Sequence, residues 1–342
     1  MGGSVQPAQR RIQWETFRRQ FGARWEGQTA WFRPRDEGWI GQQEQQEVAL
    51  TAISEPLTSI YQLEFPRLEP EVGTWRGWGV LAAGDTRVVS LSEETALERS
   101  PGSTTFQFEG VGGRCSLQSD GPNSWAAEVN FFHENRRAGV VVYCTTCTKG
   151  GGSAEDGGGA AAAAAGEEEL KAEEWSFMSM TFRAARLSDD GNLTFATDGN
   201  VTLSPPHQMF VEPSDEQQRL TTATMRCTRR ETMDPLSFAI RSVETGEEPS
   251  LPQALGISAG GEVAKGNALP LLARLPDGVS CSFPRTLRLR RSPEQPRITG
   301  PGQAFRFACD FRDIGGPVRF VSIEYNKGRL VRWLCEDWTD DT

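Results

Sequence analysis

Histidine is scarce in this chain of 342 residues, which contains only His133 and His207. Two histidines are too few for a multi-histidine metal site, and they make a histidine-based catalytic triad a poor expectation. No apolar run reaches the roughly 20 residues that a membrane-spanning helix needs. The formal charge is −10, from 36 basic and 46 acidic residues, and a nucleic-acid backbone would repel such a chain. We therefore expect a soluble, acidic, globular protein with no nucleic-acid partner and no membrane span.

Catalytic motifs are also absent. The sequence has no nucleophile elbow, phosphate-binding loop, paired-carboxylate signature or dinucleotide fingerprint. Cys144 and Cys147 have C-x-x-C spacing, but no second such pair and no histidine pair follows them. We accordingly assign no catalytic residue and no metal ligand, and an enzymatic role stays an open alternative.

Cysteine usage and the start of the chain bear on location. Seven cysteines are an odd number in a long chain, which does not fit a secreted disulfide framework. No signal peptide opens the sequence, and the roughly one dozen residues before Trp14 are too few for a typical transit peptide. We expect a reducing compartment, either plastid or cytoplasm.

Alternation of apolar and polar residues predicts strands over most of the chain. Phe305, Phe307, Cys309 and Phe311 share one face, and Leu287 and Leu289 alternate with arginines. Asp-Gly and Asn-containing turns, as at 188–192 and 197–200, separate such runs. The fold class is therefore predicted to be all-β, built from antiparallel barrels or sandwiches.

Two segments break this pattern. Trp14, Phe17, Phe21 and Trp25 recur at three- and four-residue intervals, which predicts a short amphipathic helix that either plugs a barrel end or packs as ordinary core. Residues 149–174 contain glycine runs, six consecutive alanines and several glutamates. Such a composition predicts a disordered insert.

An internal repeat predicts two domains. Arg137 and Tyr143 are six residues apart, as are Arg319 and Tyr325, and β-branched residues fill both intervals. Because six is an even step, each arginine lies on the same strand face as its tyrosine. We expect a first barrel over residues 10–187, containing the insert, and a second barrel over residues 188–338. The repeated arginines are interpreted either as ligand groups or as structural bonds to barrel-end carbonyls or to an acid on the next strand.

Eight residues are candidates for binding a ligand. Arg76 and Trp78 share one predicted strand face, and Trp75 lies on the other; an arginine beside an aromatic ring suits an anionic aromatic ligand. Arg226 becomes an anchor if its side chain points inward. The complete candidate set is Trp75, Arg76, Trp78, Arg137, Tyr143, Arg226, Arg319 and Tyr325.

The chain resembles a known family in its opening and its C-terminal stretch. The matching positions are Trp14-Glu-Thr-Phe17, Phe21-Gly22, Trp25, Gly27, Leu275–Val279, Ser280, Phe305, Tyr325, Gly328 and Glu336. They are similar to an uncharacterised two-barrel, lipocalin-like (calycin) family of cyanobacteria and plastid-bearing algae. That family is related in fold to the S/U-type phycobiliprotein lyases, which hold an open-chain tetrapyrrole in a barrel.

The resemblance implies non-catalytic binding of a hydrophobic or tetrapyrrole-like small molecule, such as a bilin, in a barrel cavity. Two alternatives stay open. One is a lyase or chaperone that delivers a bilin chromophore to a pigment-bearing acceptor protein. The other is a scaffold or assembly protein whose barrels are filled by side chains.

Overall fold

Strands dominate the computed structural model, as the alternating sequence pattern predicts. The structure describes residues 5–35, 46–65, 72–78, 86–97, 103–117, 124–133, 136–146, 168–184, 225–243, 270–291, 298–301, 304–312, 317–326 and 329–340. Two α-helices lie in these ranges, α1 at Val5–Phe21 and the short α2 at Glu93–Leu97. The predicted all-β class is confirmed.

The first sheet has twelve strands and curves into a half-barrel. Its main path runs in the order β6-β5-β4-β1-β11-β10-β9-β8-β7, and β3, β16 and β17 attach beside that path. The strands are β1 (Arg24–Pro34), β3 (Leu50–Ala52), β4 (Leu57–Glu64), β5 (Val72–Trp78), β6 (Thr86–Ser92), β7 (Ser103–Phe108), β8 (Val111–Leu117), β9 (Ser124–His133), β10 (Arg136–Thr146), β11 (Glu168–Ala184), β16 (Leu287–Arg291) and β17 (Ile298–Pro301).

The second sheet has eight strands in the order β13-β12-β20-β19-β18-β15-β14-β2. Its strands are β2 (Gln46–Val48), β12 (Met225–Met233), β13 (Ile240–Ser242), β14 (Leu271–Arg274), β15 (Val279–Phe283), β18 (Phe305–Arg312), β19 (Val318–Asn326) and β20 (Arg329–Asp340). Only the β2–β14 pair is parallel among the described strands. Within the described residues the two outermost strands of each sheet do not pair with each other.

The two halves of the chain exchange strands. β16 pairs with β11 of the first sheet, through Leu289 opposite Leu170, and β17 follows beside β16. In return, β2 pairs with β14 of the second sheet, through Glu47 opposite Leu272. The sheets therefore do not coincide with the ranges 10–187 and 188–338, and the expected boundary between those ranges lies outside the described residues.

The main core lies between the two sheets. Phe106 of the first sheet stacks on Trp333 of the second with ring centroids 4.0 Å apart, and Phe131 stacks on Phe311 at 5.5 Å. We call the side of the first sheet that meets the second sheet its core face. Its opposite side, the aromatic face, carries Trp25, Tyr61, Phe132, Met180 and Phe182.

Several sequence expectations can be compared with these elements directly. Phe305, Phe307, Cys309 and Phe311 do share one buried face of β18. The helix begins earlier than the predicted aromatic stripe, at Val5, and it ends at Phe21, so Trp25 belongs to β1 and not to the helix. β11 begins at Glu168, so residues 168–174 of the predicted disordered insert belong to a strand. The turns expected at 188–192 and 197–200 lie outside the described residues.

Candidate functional site

Arg137 lies buried among aromatic rings on the aromatic face, with 4% of its surface exposed. Its Cζ atom is 5.0 Å from the ring centroids of Phe21 and Tyr61, 5.2 Å from that of Phe182 and 5.9 Å from that of Phe132. The negative ring faces attract the cation, and this attraction is strongest where water is excluded. Burial lowers the pKa of Arg137, and the electrostatic effects of Tyr61 and Glu128 oppose that shift.

Strand register explains this arrangement. Arg137 on β10 pairs with Phe132 on β9 and with Phe182 on β11. Neighbouring strands lie about 4.8 Å apart, so the two phenylalanine side chains stand on either side of the guanidinium stem. Gly139, one position further along the same face, leaves room for the side chains of Asn130 and Met180. Arg137 therefore sits in a site that its own sheet builds.

The helix α1 closes this end of the aromatic face. Phe21, near the helix end, meets Phe132 edge-on with centroids 4.8 Å apart. Gln13 bonds both backbone groups of Gln107, donating to its carbonyl at 2.9 Å and accepting from its N–H at 2.6 Å. Gln20 accepts from the N–H of Gly110 at 2.6 Å. These contacts place the aromatic stripe of α1 over one end of the half-barrel.

A polar chain leads away from Arg137 along the same face. Arg137 Nε donates to Asn130 Oδ1 at 2.9 Å, and Asn130 Nδ2 donates to Glu128 Oε1 at 3.0 Å. Arg114 Nε donates to Glu128 Oε2 at 2.9 Å. The exposed side-chain fraction rises along this chain, from 4% at Arg137 to 18% at Glu128 and 38% at Arg114. The aromatic face is therefore more accessible at Arg114 than at Arg137.

Aromatic rings at the other end of this face are only partly covered. Trp31 of β1 stacks on Tyr143 of β10 with centroids 5.5 Å apart, and both side chains are half-buried. Each lies six residues beyond a buried partner on its strand, Trp25 and Arg137 respectively, which corresponds to about 20 Å. Trp75 of β5 is also half-buried and contacts Tyr61 at 5.6 Å. Three of the predicted site residues, Trp75, Arg137 and Tyr143, thus share the aromatic face.

Arg76 and Trp78 do not share the surroundings of Trp75. Strand alternation turns Arg76 to the opposite side of β5, where its charge acts on Glu64. Burial raises the pKa of Glu64, and Arg76 opposes that shift. Of Trp78 the structure describes the backbone, which pairs with Ile60 and Thr86. The structure therefore places Trp75 rather than Arg76 on the aromatic face.

Arg319 and Tyr325 lie on the face of β19 that meets the first sheet. Arg319 donates to the carbonyl oxygens of Gly110 and Phe132, and its Nε lies 3.5 Å from Asp337 Oδ1. These are bonds to carbonyls at a sheet end and to an acid on the next strand. They match the structural alternative for the repeated arginines.

The side chain of Tyr325 is fully engaged in the main core. Its hydroxyl donates to Cys115 Sγ at 3.1 Å and accepts from Trp125 Nε1 at 3.3 Å. Its ring stacks on Phe305 with centroids 4.7 Å apart. Burial raises the pKa of Tyr325, and it also raises the pKa of Cys115 to about 12. Both groups are therefore neutral at ordinary pH.

The remaining candidate, Arg226, is exposed on β12. β12 lies near one edge of the second sheet, where it pairs with β13 and β20. The inward orientation that would make Arg226 a ligand anchor is therefore not the one the structure has. Among the described residues, no group of three His, Cys, Asp or Glu side chains is placed to hold a metal ion.

The residues of the aromatic face that were not among the sequence candidates include Trp31, Tyr61, Arg114 and Glu128. Arg114 and Glu128 are 14 residues apart and meet only because β8 pairs with β9. An arginine and a glutamate placed symmetrically about a turn are a recognisable hairpin signal. Here residues 118–123, between the two strands in sequence, lie outside the described residues, and their composition did not predict which residues of β8 and β9 pair.

Comparison with known proteins gives a likeness in fold. No family model matches the chain, and no curated protein matches it. A solved structure of a DUF3598-family protein of unknown function from Nostoc punctiforme is similar, with a TM-score of 0.52 and 16% sequence identity. The similarity covers 96% of this chain and 98% of that chain. The fold thus resembles that of an uncharacterised cyanobacterial protein.

Neither described helix has the length and apolar character needed to cross a membrane.

Proposed function

We propose that this protein binds a hydrophobic small molecule without catalysis, at the open end of the aromatic face. The observation that carries the proposal is the partly exposed pair of stacked rings, Trp31 and Tyr143, six residues along their strands from Trp25 and Arg137. Large aromatic side chains left partly open on an otherwise buried face are typical of ligand sites. Exposing them also has a free-energy cost that a bound apolar molecule removes.

The residues between the two ends of the aromatic face are buried and apolar. Val141 and Met178 lie beside the Trp31–Tyr143 pair, and both are buried, as is Met180 one register step nearer α1. The methionines are flexible and polarisable, so they adapt to an irregular apolar ligand. A planar conjugated molecule of the tetrapyrrole class fits such a surface by stacking on aromatic rings. The family that the sequence resembles is related in fold to the phycobiliprotein lyases, and this relation favours that class.

The closed end of the face supports a second candidate function, that of an assembly protein with a filled interior. Arg137 and the rings of Tyr61, Phe132 and Phe182 are each less than 9% exposed, so side chains fill this end. If the same packing extended to Trp31 and Tyr143, no room for a ligand would remain. The two functions therefore differ in what happens at the open end.

Binding tests separate the two. Mass spectrometry of the purified protein should reveal a co-purifying pigment or lipid, and biliverdin should quench tryptophan fluorescence saturably. Replacing Trp31 or Tyr143 by Ala should weaken biliverdin binding about tenfold, because each ring contributes stacking area. Leu236→Ala, at a position 82% exposed and remote from this face, serves as the control. If no pigment or lipid co-purifies and biliverdin does not quench the fluorescence saturably, the assembly role is the one that remains.

A further inference from the structure

The polar chain on the aromatic face has an excess of positive charge. It contains two guanidinium groups, Arg114 and Arg137, and one carboxylate, Glu128. Both oxygens of Glu128 are already occupied, Oε2 by Arg114 and Oε1 by Asn130. The Glu128–Arg137 distance is longer, at 3.8 Å. There is thus one carboxylate for two cations, and the described side chains of this polar chain carry a net charge of +1.

The two arginines differ in what can reach them. Arg137 is enclosed by four rings, so a ligand would have to displace packed aromatic side chains to touch it. Arg114 uses Nε for Glu128, and its two Nη groups make no hydrogen bond to a described residue. Its side chain is 38% exposed. Arg114 is therefore a partly exposed cation on the aromatic face, held through Nε, and its Nη groups bond no described residue.

The register of the sheet connects Arg114 to the proposed binding surface. Arg114 pairs with Glu128, Glu128 with Val141, Val141 with Met178, and Met178 with Trp31. These five positions form one line across five adjacent strands and point to the same face. Four strand spacings amount to at most about 20 Å. A molecule lying along this line meets apolar side chains over most of its length and a cation at one end.

We infer that the ligand is an elongated apolar molecule with a terminal carboxylate, and that Arg114 binds this carboxylate through its Nη groups. This inference rests on the proposed binding function and adds the charge and orientation of the ligand. Glu128 holds the guanidinium in place through Nε, so that the fork of Nη donors is oriented before the ligand arrives. A charge-assisted bond of this kind is roughly twice as strong as a neutral one.

A pair of probes with one carbon skeleton tests the inference. All-trans retinoic acid and all-trans retinol differ at the terminal group, a carboxylate in one and a hydroxyl in the other. Quenching of tryptophan fluorescence should give an affinity about tenfold higher for the acid than for the alcohol. Arg114→Gln should remove most of that preference and leave the affinity for retinol unchanged. Arg241→Gln, at an exposed site on β13, makes the same change of charge elsewhere and should alter neither affinity.

Each other outcome has a defined meaning. Equal affinities for acid and alcohol in the unmodified protein would overturn the inference and leave the binding function intact. An equal loss of affinity for both probes in a folded Arg114→Gln variant would also overturn the inference and leave the binding function intact. If Arg114→Gln does not fold, Arg114→Lys keeps the charge without the fork, and its preference for the acid should be smaller than that of the unmodified protein. An undiminished preference in Arg114→Lys would then overturn the inference. If neither retinoid binds, the inference is overturned; the proposed function is overturned with it only if biliverdin also fails to quench tryptophan fluorescence saturably.

Discussion

Arg319 of the second sheet donates a hydrogen bond of 3.1 Å from Nη1 to the carbonyl oxygen of Gly110 in the first sheet. The same guanidinium also donates to the carbonyl of Phe132 and lies beside Asp337 on its own sheet. On the other side of Gly110, Gln20 of α1 accepts from its N–H. The β7–β8 turn is therefore held from both sides, and Arg319 joins the two sheets at the end that α1 closes.

Arg319→Met should destabilise the protein by about 2–3 kcal/mol, because two partly buried carbonyls lose a charged donor and Asp337 loses a nearby cation. The variant keeps much of the apolar stem, so the loss reports on the hydrogen bonds. Urea unfolding should show a lower midpoint with an unchanged slope. Arg226→Met, at the exposed position on β12, should leave the midpoint in place. Equal midpoints for the two variants would contradict the bridging role of Arg319.

Gly110 is the partner in this contact that tolerates no side chain. Its φ is +76°, and an added Cβ would overlap the Arg319 guanidinium. Gly110→Ala should therefore cost about 2 kcal/mol or more, of which roughly 1 kcal/mol is backbone strain. In an Arg319→Met background the overlap is relieved and the cost should fall toward the strain alone. A double-mutant cycle by urea unfolding measures this coupling, and strictly additive costs would argue against direct contact.

The strands β10 and β19 show what alternation in the sequence predicts and what it leaves open. The even spacing correctly placed Arg137 with Tyr143 and Arg319 with Tyr325 on common faces. It did not indicate which face of each strand lies against the core between the sheets, because both sides of β10 and of β19 are buried. A strand buried on both sides has no polar face to mark the outside. Arg137 consequently faces the aromatic cluster, and Arg319 faces the core between the sheets.

Local sequence patterns also could not predict which distant strands pair or in what register. The aromatic stripe of α1 was visible at 14, 17 and 21, but residues 5–13 are mostly polar and mark no helix start. Leu287 and Leu289 were correctly predicted to alternate, and nothing near them in sequence indicated pairing with β11. The Arg114–Glu128 pair likewise depends on the β8–β9 register. Local periodicity therefore predicted strands and faces, and tertiary pairing determined the site.

Asp310 should make stability depend on pH. It lies on β18 between Ser280 and Phe320, and its Oδ1 is buried without a hydrogen-bond partner among the described residues. Burial raises the pKa of Asp310 to about 7, and the nearby charge of Arg274 opposes the shift. A carboxyl whose pKa is higher in the folded state favours folding most at low pH. Its contribution is lost as pH rises from the unfolded pKa, near 4, to about 7.

Asp310→Asn isolates this effect, since asparagine has a similar shape and does not titrate. Between pH 4 and 7 the unfolding free energy of the original protein should fall by roughly 3 kcal/mol relative to that of the variant, because each pKa unit corresponds to about 1.4 kcal/mol. Above pH 8 the difference should be constant. Chemical denaturation at a series of pH values measures it. A difference that stays flat from pH 4 to 7 would show that Asp310 titrates normally.

Two deletions near the start of β11 should differ in how much they lower stability. Residues 168–172 pair with 287–291, so that Ala172 lies opposite the buried Leu287. Deleting 168–174 removes this ladder and uncovers part of the core face, and we expect a loss of more than about 3 kcal/mol. Deleting 151–166 removes a low-complexity run of glycine and alanine, and loop length affects stability only slowly, by less than about 1 kcal/mol. Thermal unfolding of the two variants makes the comparison. A similar fall in midpoint for both would mean that the pairing of β11 with β16 does not stabilise the fold, or that the Gly/Ala run packs against it.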